Sequence, residues 1–180
     1  MDVGCGTGEH VLLCASRGLD ATGVDLAPNA LRAAEDKARQ RGLMVQFLHQ
    51  DARHLADLRE CFDTVLDCGL FHIFDEQDRV EFVDSVRSVL SPGGRYFMLC
   101  FSDQQPGTWG PHRVRREEIT AAFAEGWRVD SIEPATIDVT IDPDGIRAWL
   151  VLSPGPELVP AGAAATTRGA GRHPAGPQRS

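Results

Sequence analysis

The sequence predicts an α/β protein: a doubly wound, mostly parallel sheet with helices on both faces, its first strand truncated. Three observations predict it. Short apolar runs alternate with stretches of helical periodicity from Asp2 to Leu152, the order in which parallel strands and crossover helices succeed one another. A turn with glycine at alternate positions, Gly4-Cys5-Gly6-Thr7-Gly8, follows the first run and opens a helix. Aspartates stand at the ends of later runs, on the rim where such sheets take ligands.

Asp2 and Val3 read as the last residues of a strand. Glu9–Arg17 carries Val11, Leu12, Cys14 and Ala15 at helical spacing, and Gly18 can end that helix. Ala21–Asp25 is a short buried strand. Pro28 opens the next helix, where its missing N–H costs nothing, and Gly42 closes it. Val45–His49 and Thr64–Asp67 read as strands. Asp75 to Leu90 is a long helix with Val80, Val83, Val86, Val89 and Leu90 assigned to one face, and Ser91-Pro92-Gly93-Gly94 breaks it. Arg95–Phe101 is an apolar strand, Arg116–Ala124 a shorter helix, and Val129–Ile132 and Ile146–Leu152 closing strands. Asp142-Pro143-Asp144-Gly145 is expected as the tight turn between those two.

The domain is expected over residues 1–153, with a disordered tail over 154–180. Ten of the 27 tail residues are Pro or Gly and no periodicity survives, so the segment buries too little apolar surface to offset its ordering entropy. Three arginines against one glutamate leave the tail at +2, so residues 1–153 carry −10 of the net −8. A surface that acidic repels phosphate backbones and argues against a nucleic-acid partner. No apolar stretch reaches the ~18 residues of a membrane helix, and no membrane role is expected. The residues after Met1 are acidic and glycine-rich and do not read as a signal peptide. Five cysteines are scattered without a C-x-x-C pair; four lie in apolar or glycine-rich surroundings and read as small core residues. Such a set fits a reducing cytoplasm, and no metal site is expected.

Glycines at alternate positions let a backbone approach a ligand closely. A dinucleotide fingerprint, G-x-G-x-x-G, aligned on Gly4 and Gly6 would place its third glycine at Glu9. A carboxylate there would compete with a pyrophosphate for the helix N-terminus, which disfavours a nicotinamide or flavin dinucleotide. The stretch Asp2-Val3-Gly4-Cys5-Gly6-Thr7-Gly8-Glu9-His10 instead resembles the first motif of class I S-adenosylmethionine methyltransferases, and further features come in that family's order. Asp25 ends the second strand 17 residues after Gly8. His49-Gln50-Asp51-Ala52 comes after the third, Asp67-Cys68-Gly69-Leu70-Phe71-His72 closes the fourth, and Leu90-Ser91-Pro92-Gly93-Gly94 precedes the fifth. The resemblance covers roughly residues 2–152.

It implies S-adenosyl-L-methionine as cofactor, with Gly4, Gly6 and Gly8 shaping the turn around its methionine end and Asp2 supporting that turn. Asp25 takes the ribose hydroxyls and Leu26 packs on the adenine. Asp51 and the backbone of Ala52 read the adenine edge, while Asp67 and Cys68 lie towards the methyl-transfer side. Taken singly, Asp25 also reads as a loop cap and Asp51 as the cap of a short helix. The sulfonium is already an activated methyl donor, so positioning in line behind the methyl and exclusion of water carry most of the chemistry. The candidates for an acceptor-side proton role are His72, which also reads as a core residue between Phe71 and Ile73, and the group Asp103, His112 and Arg113. The loop from Ser102 to His112 reads as a flap, or as a plain surface loop. Phe71, Phe74, Phe101 and Trp109 are expected to form an apolar pocket for a small-molecule acceptor. Adenine methylation in DNA would need an Asn/Asp-Pro-Pro-aromatic motif at the end of the fourth strand, where this sequence has Asp67-Cys68-Gly69-Leu70. Family members carry a longer first strand and helices before it, so the chain is expected to be an N-terminally truncated member of marginal stability. The rivals are a non-catalytic module that binds S-adenosylmethionine or its demethylated product, and a nucleotide-binding oxidoreductase.

Overall fold

The computed structural model describes residues 1–124, 126–140 and 142–155. Seven strands form one sheet: β1 (Asp2–Val3), β2 (Thr22–Asp25), β3 (Gln46–His49), β4 (Phe62–Cys68), β5 (Leu90–Phe101), β6 (Ser131–Val139) and β7 (Asp142–Pro154). Their spatial order is β3-β2-β1-β4-β5-β7-β6. Pairing is parallel from β3 through β5, and β7 runs antiparallel to both of its neighbours. The chain proceeds outward from β1 to β3, then returns to β4 on the other side, so the order reverses at β1.

Although β1 has two residues, it is laddered on both sides: Asp2 pairs with Gly23 and Leu66, Val3 with Val24 and Asp67. Backbone bonds extend the ladder at each end, from Leu66 N to Met1 O at 2.9 Å and from Cys5 N to Val24 O at 3.0 Å. The central position is thus satisfied over residues 1–5.

Four α-helices cover the sheet: α1 (Glu9–Ser16), α2 (Pro28–Arg41), α3 (Glu76–Val89) and α4 (Arg116–Ala122). Val11 of α1 and Leu31 of α2 cluster with Cys5 and Ala21. Residues of α3 and α4 join Val3, Val24, Val65, Tyr96, Met98 and Trp149 in a larger core. Because alternate strand residues face opposite ways, these two clusters put helices on both faces. Pro28 stands in the first turn of α2, and Gly42 ends it with φ +63°. Asp75 caps α3 by accepting the Asp78 N–H at 2.9 Å.

Several boundaries differ from expectation. Phe82, Val83, Val86 and Val89 form the buried face of α3, each worth about 1.5–3 kcal/mol of transfer free energy. Val80 is 46% exposed; the stripe starts instead at Arg79, one turn before Val83. The Ser91–Gly94 turn lies inside β5, since Leu90 already pairs with Phe62 and the register shifts before Arg95 meets Thr64. The reversal between β6 and β7 falls between Val139 and Asp142, which pair with each other. Asp142-Pro143-Asp144-Gly145 is therefore an irregularity at the start of β7, not the connecting turn. Cys5 and Cys100 are buried, but Cys61 and Cys68 are exposed. Pro154 still pairs with Arg95, and Gly155 N donates to Gly94 O at 2.7 Å. The expected tail lies outside the described residues from residue 156 onward. No described helix is long and apolar enough to cross a membrane.

Candidate functional site

The carboxyl ends of β1, β2, β3 and β4 meet around a cleft of about 260 Å³. Gly4, Asp25, Leu26, Asp51 and Ala52 line it, as do Gly69, Leu70, Ile73 and Phe74 from the segment after β4. The position is the one that strand reversal dictates.

Gly4 is the residue of the glycine turn that lines the cleft; Gly6 and Gly8 do not line it. Gly4, Gly6 and Gly8 all have positive φ, which L side chains adopt only at a cost. Asp25 holds the turn shut. Its Oδ2 accepts the Gly6 N–H and its Oδ1 the Ala27 N–H, both at 2.7 Å. A carboxylate has about four acceptor sites, so one lone pair on each oxygen stays available. From outside, Lys37 of α2 donates to Thr7 O, Thr7 Oγ1 and Glu9 Oε1 at 3.1, 2.8 and 2.8 Å. Nothing in the local motif marks that lysine, because its partners lie about thirty residues away.

Asp2 is buried beneath the turn, and its Oδ2 has no hydrogen-bond partner. His10 Nδ1 lies 3.7 Å from that oxygen, and the Asp2 carboxylate raises the histidine above its ordinary range. With Asp25 on the adjoining strand, Asp2 makes a concentration of negative charge that suits a cationic ligand.

Asp51 has its helix-capping role: its Oδ1 accepts the Arg53 N–H at 2.9 Å. The Arg53 guanidinium also grips both its oxygens and reaches Asp78 at 2.9 Å. That grip holds Asp51 below the usual carboxylate range. Arg53, itself on the cleft wall, is a residue that motif reading missed. Leu26 is 55% exposed and offers an apolar surface at the mouth.

Asp67 is buried behind the cleft and does not line it. It accepts from Leu70 N at 2.7 Å, Phe71 N at 3.1 Å and Tyr96 Oη at 3.0 Å, so it shapes the loop that carries Gly69 and Leu70. Burial raises its carboxyl to about 7, against the three donors. Between the ordinary carboxylate pKa and 7 the folded chain therefore binds a proton that the unfolded chain releases. The resulting stability is fully present below about pH 4 and lost as pH rises through 7. We expect Asp67→Asn, which has no titration, to be less stable throughout, with a gap to the parent that narrows between about pH 4 and 8. Urea midpoints across that range check it; a constant gap would contradict the assignment.

Cys68 is exposed as a residue, but partial desolvation of its thiol, then the nearby Asp67 and Asp2, push its pKa up. The two histidines go to different places. His72 is buried against Phe101, with ring centroids 4.8 Å apart, beside Gly69 of the cleft. His112 is exposed and bound through Nε2 to Glu118 Oε1 at 2.8 Å, outside the cleft lining. Burial alone would raise Glu118, but donors from Arg115, Arg79 and His112 hold it at about 2.

The four aromatics do not share one pocket. Phe71 is core and packs on Phe123, Phe74 lines the cleft, and Phe101 meets Trp109 edge-on at 6.4 Å. The loop after β5 is cross-braced: Arg113 donates to Gln105 O and Trp109 O at 2.9 Å. Gln105 Oε1 in turn accepts the Arg147 N–H at 2.7 Å.

Residues 1–94 match the family described as a methyltransferase domain. A 2-heptyl-1-hydroxyquinolin-4(1H)-one methyltransferase of Mycobacteroides abscessus is 34% identical over 140 residues, which are 76% of this chain and 62% of that protein. The chain thus spans less than two thirds of that relative's length. A structure solved in work on the conversion of a disulfide bond into a thioacetal group during echinomycin biosynthesis superposes with a TM-score of 0.76 at 32% identity. It covers 86% of this chain and 74% of that one. The fold is also that of an S-adenosylmethionine-dependent methyltransferase structure from Methanosarcina mazei, with TM-score 0.75, 19% identity and coverage of 87% and 91%.

Proposed function

This chain belongs to the class I S-adenosylmethionine-dependent methyltransferase family, and on that premise we propose that it transfers a methyl group from S-adenosylmethionine to a small-molecule acceptor by in-line displacement. The observation that carries the reading is the gathering of Gly4, Asp25, Leu26, Asp51 and Ala52 around one cleft at the strand reversal. The residues fit the cofactor's chemistry. Its ammonium and sulfonium are cationic, and Asp2 and Asp25 supply negative charge around the turn, the buried Asp2 Oδ2 accepting no hydrogen bond, with His10 Nδ1 3.7 Å away. Two free lone pairs on Asp25 match two ribose hydroxyls, and Leu26 and Ile73 offer apolar faces to a purine ring.

When bound, S-adenosylmethionine supplies a methyl on a sulfonium, which the acceptor's lone pair takes as the carbon–sulfur bond breaks towards sulfur, leaving S-adenosylhomocysteine. The chain's own part is to hold the two ends of the cofactor through Asp25 and the glycine turn, and to exclude water beside Leu70 and Phe74. Positioning of this kind supplies on the order of 7–11 kcal/mol. The acidic surface argues against a nucleic-acid acceptor, and the quinolone named for the Mycobacteroides relative is a small ring compound.

Calorimetric titration with S-adenosylhomocysteine tests the proposal, with NADH as the contrasting ligand. Saturable binding of the first alone supports it. Binding of NADH alone would revive the oxidoreductase reading. Binding of S-adenosylhomocysteine without methylation of any small acceptor would favour a non-catalytic binding module.

A further inference from the structure

His72 stands at the carboxyl rim between the cofactor cleft and the end of β5, and its ring is fixed. Its Nδ1 accepts the Phe101 N–H at 3.2 Å. An imidazole nitrogen that accepts carries no hydrogen, so in the neutral ring the proton is on Nε2. The Cε1–Nε2 edge faces Gly69: a β-carbon on that residue would lie 3.3 Å from Cε1 and 3.8 Å from Nε2. Gly69 lines the cleft and the buried His72 does not, so the Cε1–Nε2 edge sits directly behind the Gly69 wall. Among the described residues, Nε2 has no hydrogen-bond partner.

The groups near it are poor bases. Burial, then the charges of Arg79 and His112, hold His72 itself down at about 4, so the ring stays neutral at neutral pH. Asp67 is engaged by Leu70, Phe71 and Tyr96. Glu118 is engaged by Arg79, His112 and Arg115. Cys68 is held in its thiol form by burial and by Asp67. An acceptor that arrives ionised gives up no proton and needs none of them. A neutral imidazole also adds no positive charge next to a sulfonium.

Resting on the methyltransferase reading, we propose that His72 is a fixed hydrogen-bond donor to the acceptor atom and not a base, and that the acceptor is a small molecule with an acidic hydroxyl, bound as its anion. An oxyanion is preferred to a thiolate because an N–H to an oxyanion is a charge-assisted bond, whereas sulfur is a weak acceptor.

The test uses the whole chain saturated with sinefungin, a cofactor analogue with a cationic amine in place of the sulfonium. The probe is 4-nitrophenolate, tracked by its visible absorption. The parent is expected to bind the phenolate in preference to the phenol. His72→Phe should weaken it by about tenfold or more, while His72→Gln, which can both accept from Phe101 and donate, should stay within about threefold. Imidazole nitrogen NMR on the parent supplies a readout independent of any variant. His72 should show the neutral, Nε2-protonated ring between about pH 5 and 8. Titration in that interval, a proton on Nδ1, or full phenolate binding by a folded His72→Phe each overturns the inference. Failure of sinefungin to bind defeats the methyltransferase reading itself. Sinefungin binding without phenolate binding defeats this inference alone.

Discussion

Asp25→Ala is expected to weaken S-adenosylhomocysteine binding on the order of a hundredfold while the protein remains folded. In the proposed binding mode the carboxylate accepts two ribose hydroxyls, and hydrogen bonds to a charged group are worth about 1.5–3 kcal/mol each. Two of them exceed the roughly 3 kcal/mol that a hundredfold requires. A second loss adds to the first, because Asp25 also accepts the Gly6 and Ala27 N–H groups at 2.7 Å and so sets the shape of the turn. Asp25→Asn separates the two contributions: it keeps one acceptor oxygen for the turn but loses the charge and one acceptor. Its affinity should fall between those of the parent and the alanine variant. Both variants can be read by calorimetry, with melting temperature as the control. A folded Asp25→Ala that binds as tightly as the parent would remove Asp25 from the cofactor site.

The parts of the fold and site that are legible in the sequence are the local ones. Pro28 and Gly42 bound α2 because each fits a backbone position by its own covalent geometry. The glycine turn and Asp25 announce themselves by spacing along one strand–turn–helix unit. What escapes depends on partners far along the chain. Asp51 lines the cleft as a ligand residue would, yet Arg53 occupies its carboxylate, and Arg53 is fixed in turn by Asp78, 25 residues on. His112 has the chemistry of a site residue, but Glu118, itself held by the buried Arg79, draws it to α4. Periodicity also misplaces Val80, because an aliphatic residue ordinarily outranks an arginine for a buried face. Arg79 wins there through its ion pair with Glu118 and its stacking over Phe71, 5.2 Å from the ring centroid.

Two glycines of the turn should fail in opposite ways when changed to alanine. At Gly8 a β-carbon would lie 2.7 Å from Phe47 Cζ and 2.9 Å from Ala34 Cβ, on a backbone with φ +81°. The left-handed conformation costs a side chain about 1–2 kcal/mol, and overpacking a close-packed site about 1–3 kcal/mol more. Relief is hard to find, because Ala34 is fixed on α2 and the Phe47 ring is packed against the core beside Leu31. A loss of roughly 3 kcal/mol is a large part of a domain's usual 5–15. At about 2–4 °C per kcal/mol, Gly8→Ala should melt on the order of 10 °C lower. Gly6 also has positive φ, +52°, but its β-carbon would meet nothing within 4 Å. Gly6→Ala should therefore carry only the conformational cost, about 1–2 kcal/mol, and stay folded. Its methyl group would project into the open space where the cofactor's methionine end is expected, so its affinity for S-adenosylhomocysteine should fall further than its stability. Calorimetry and thermal melts on the two variants together decide the matter. Were Gly6→Ala to bind normally, the methionine end would have to lie elsewhere, even with the fold unchanged.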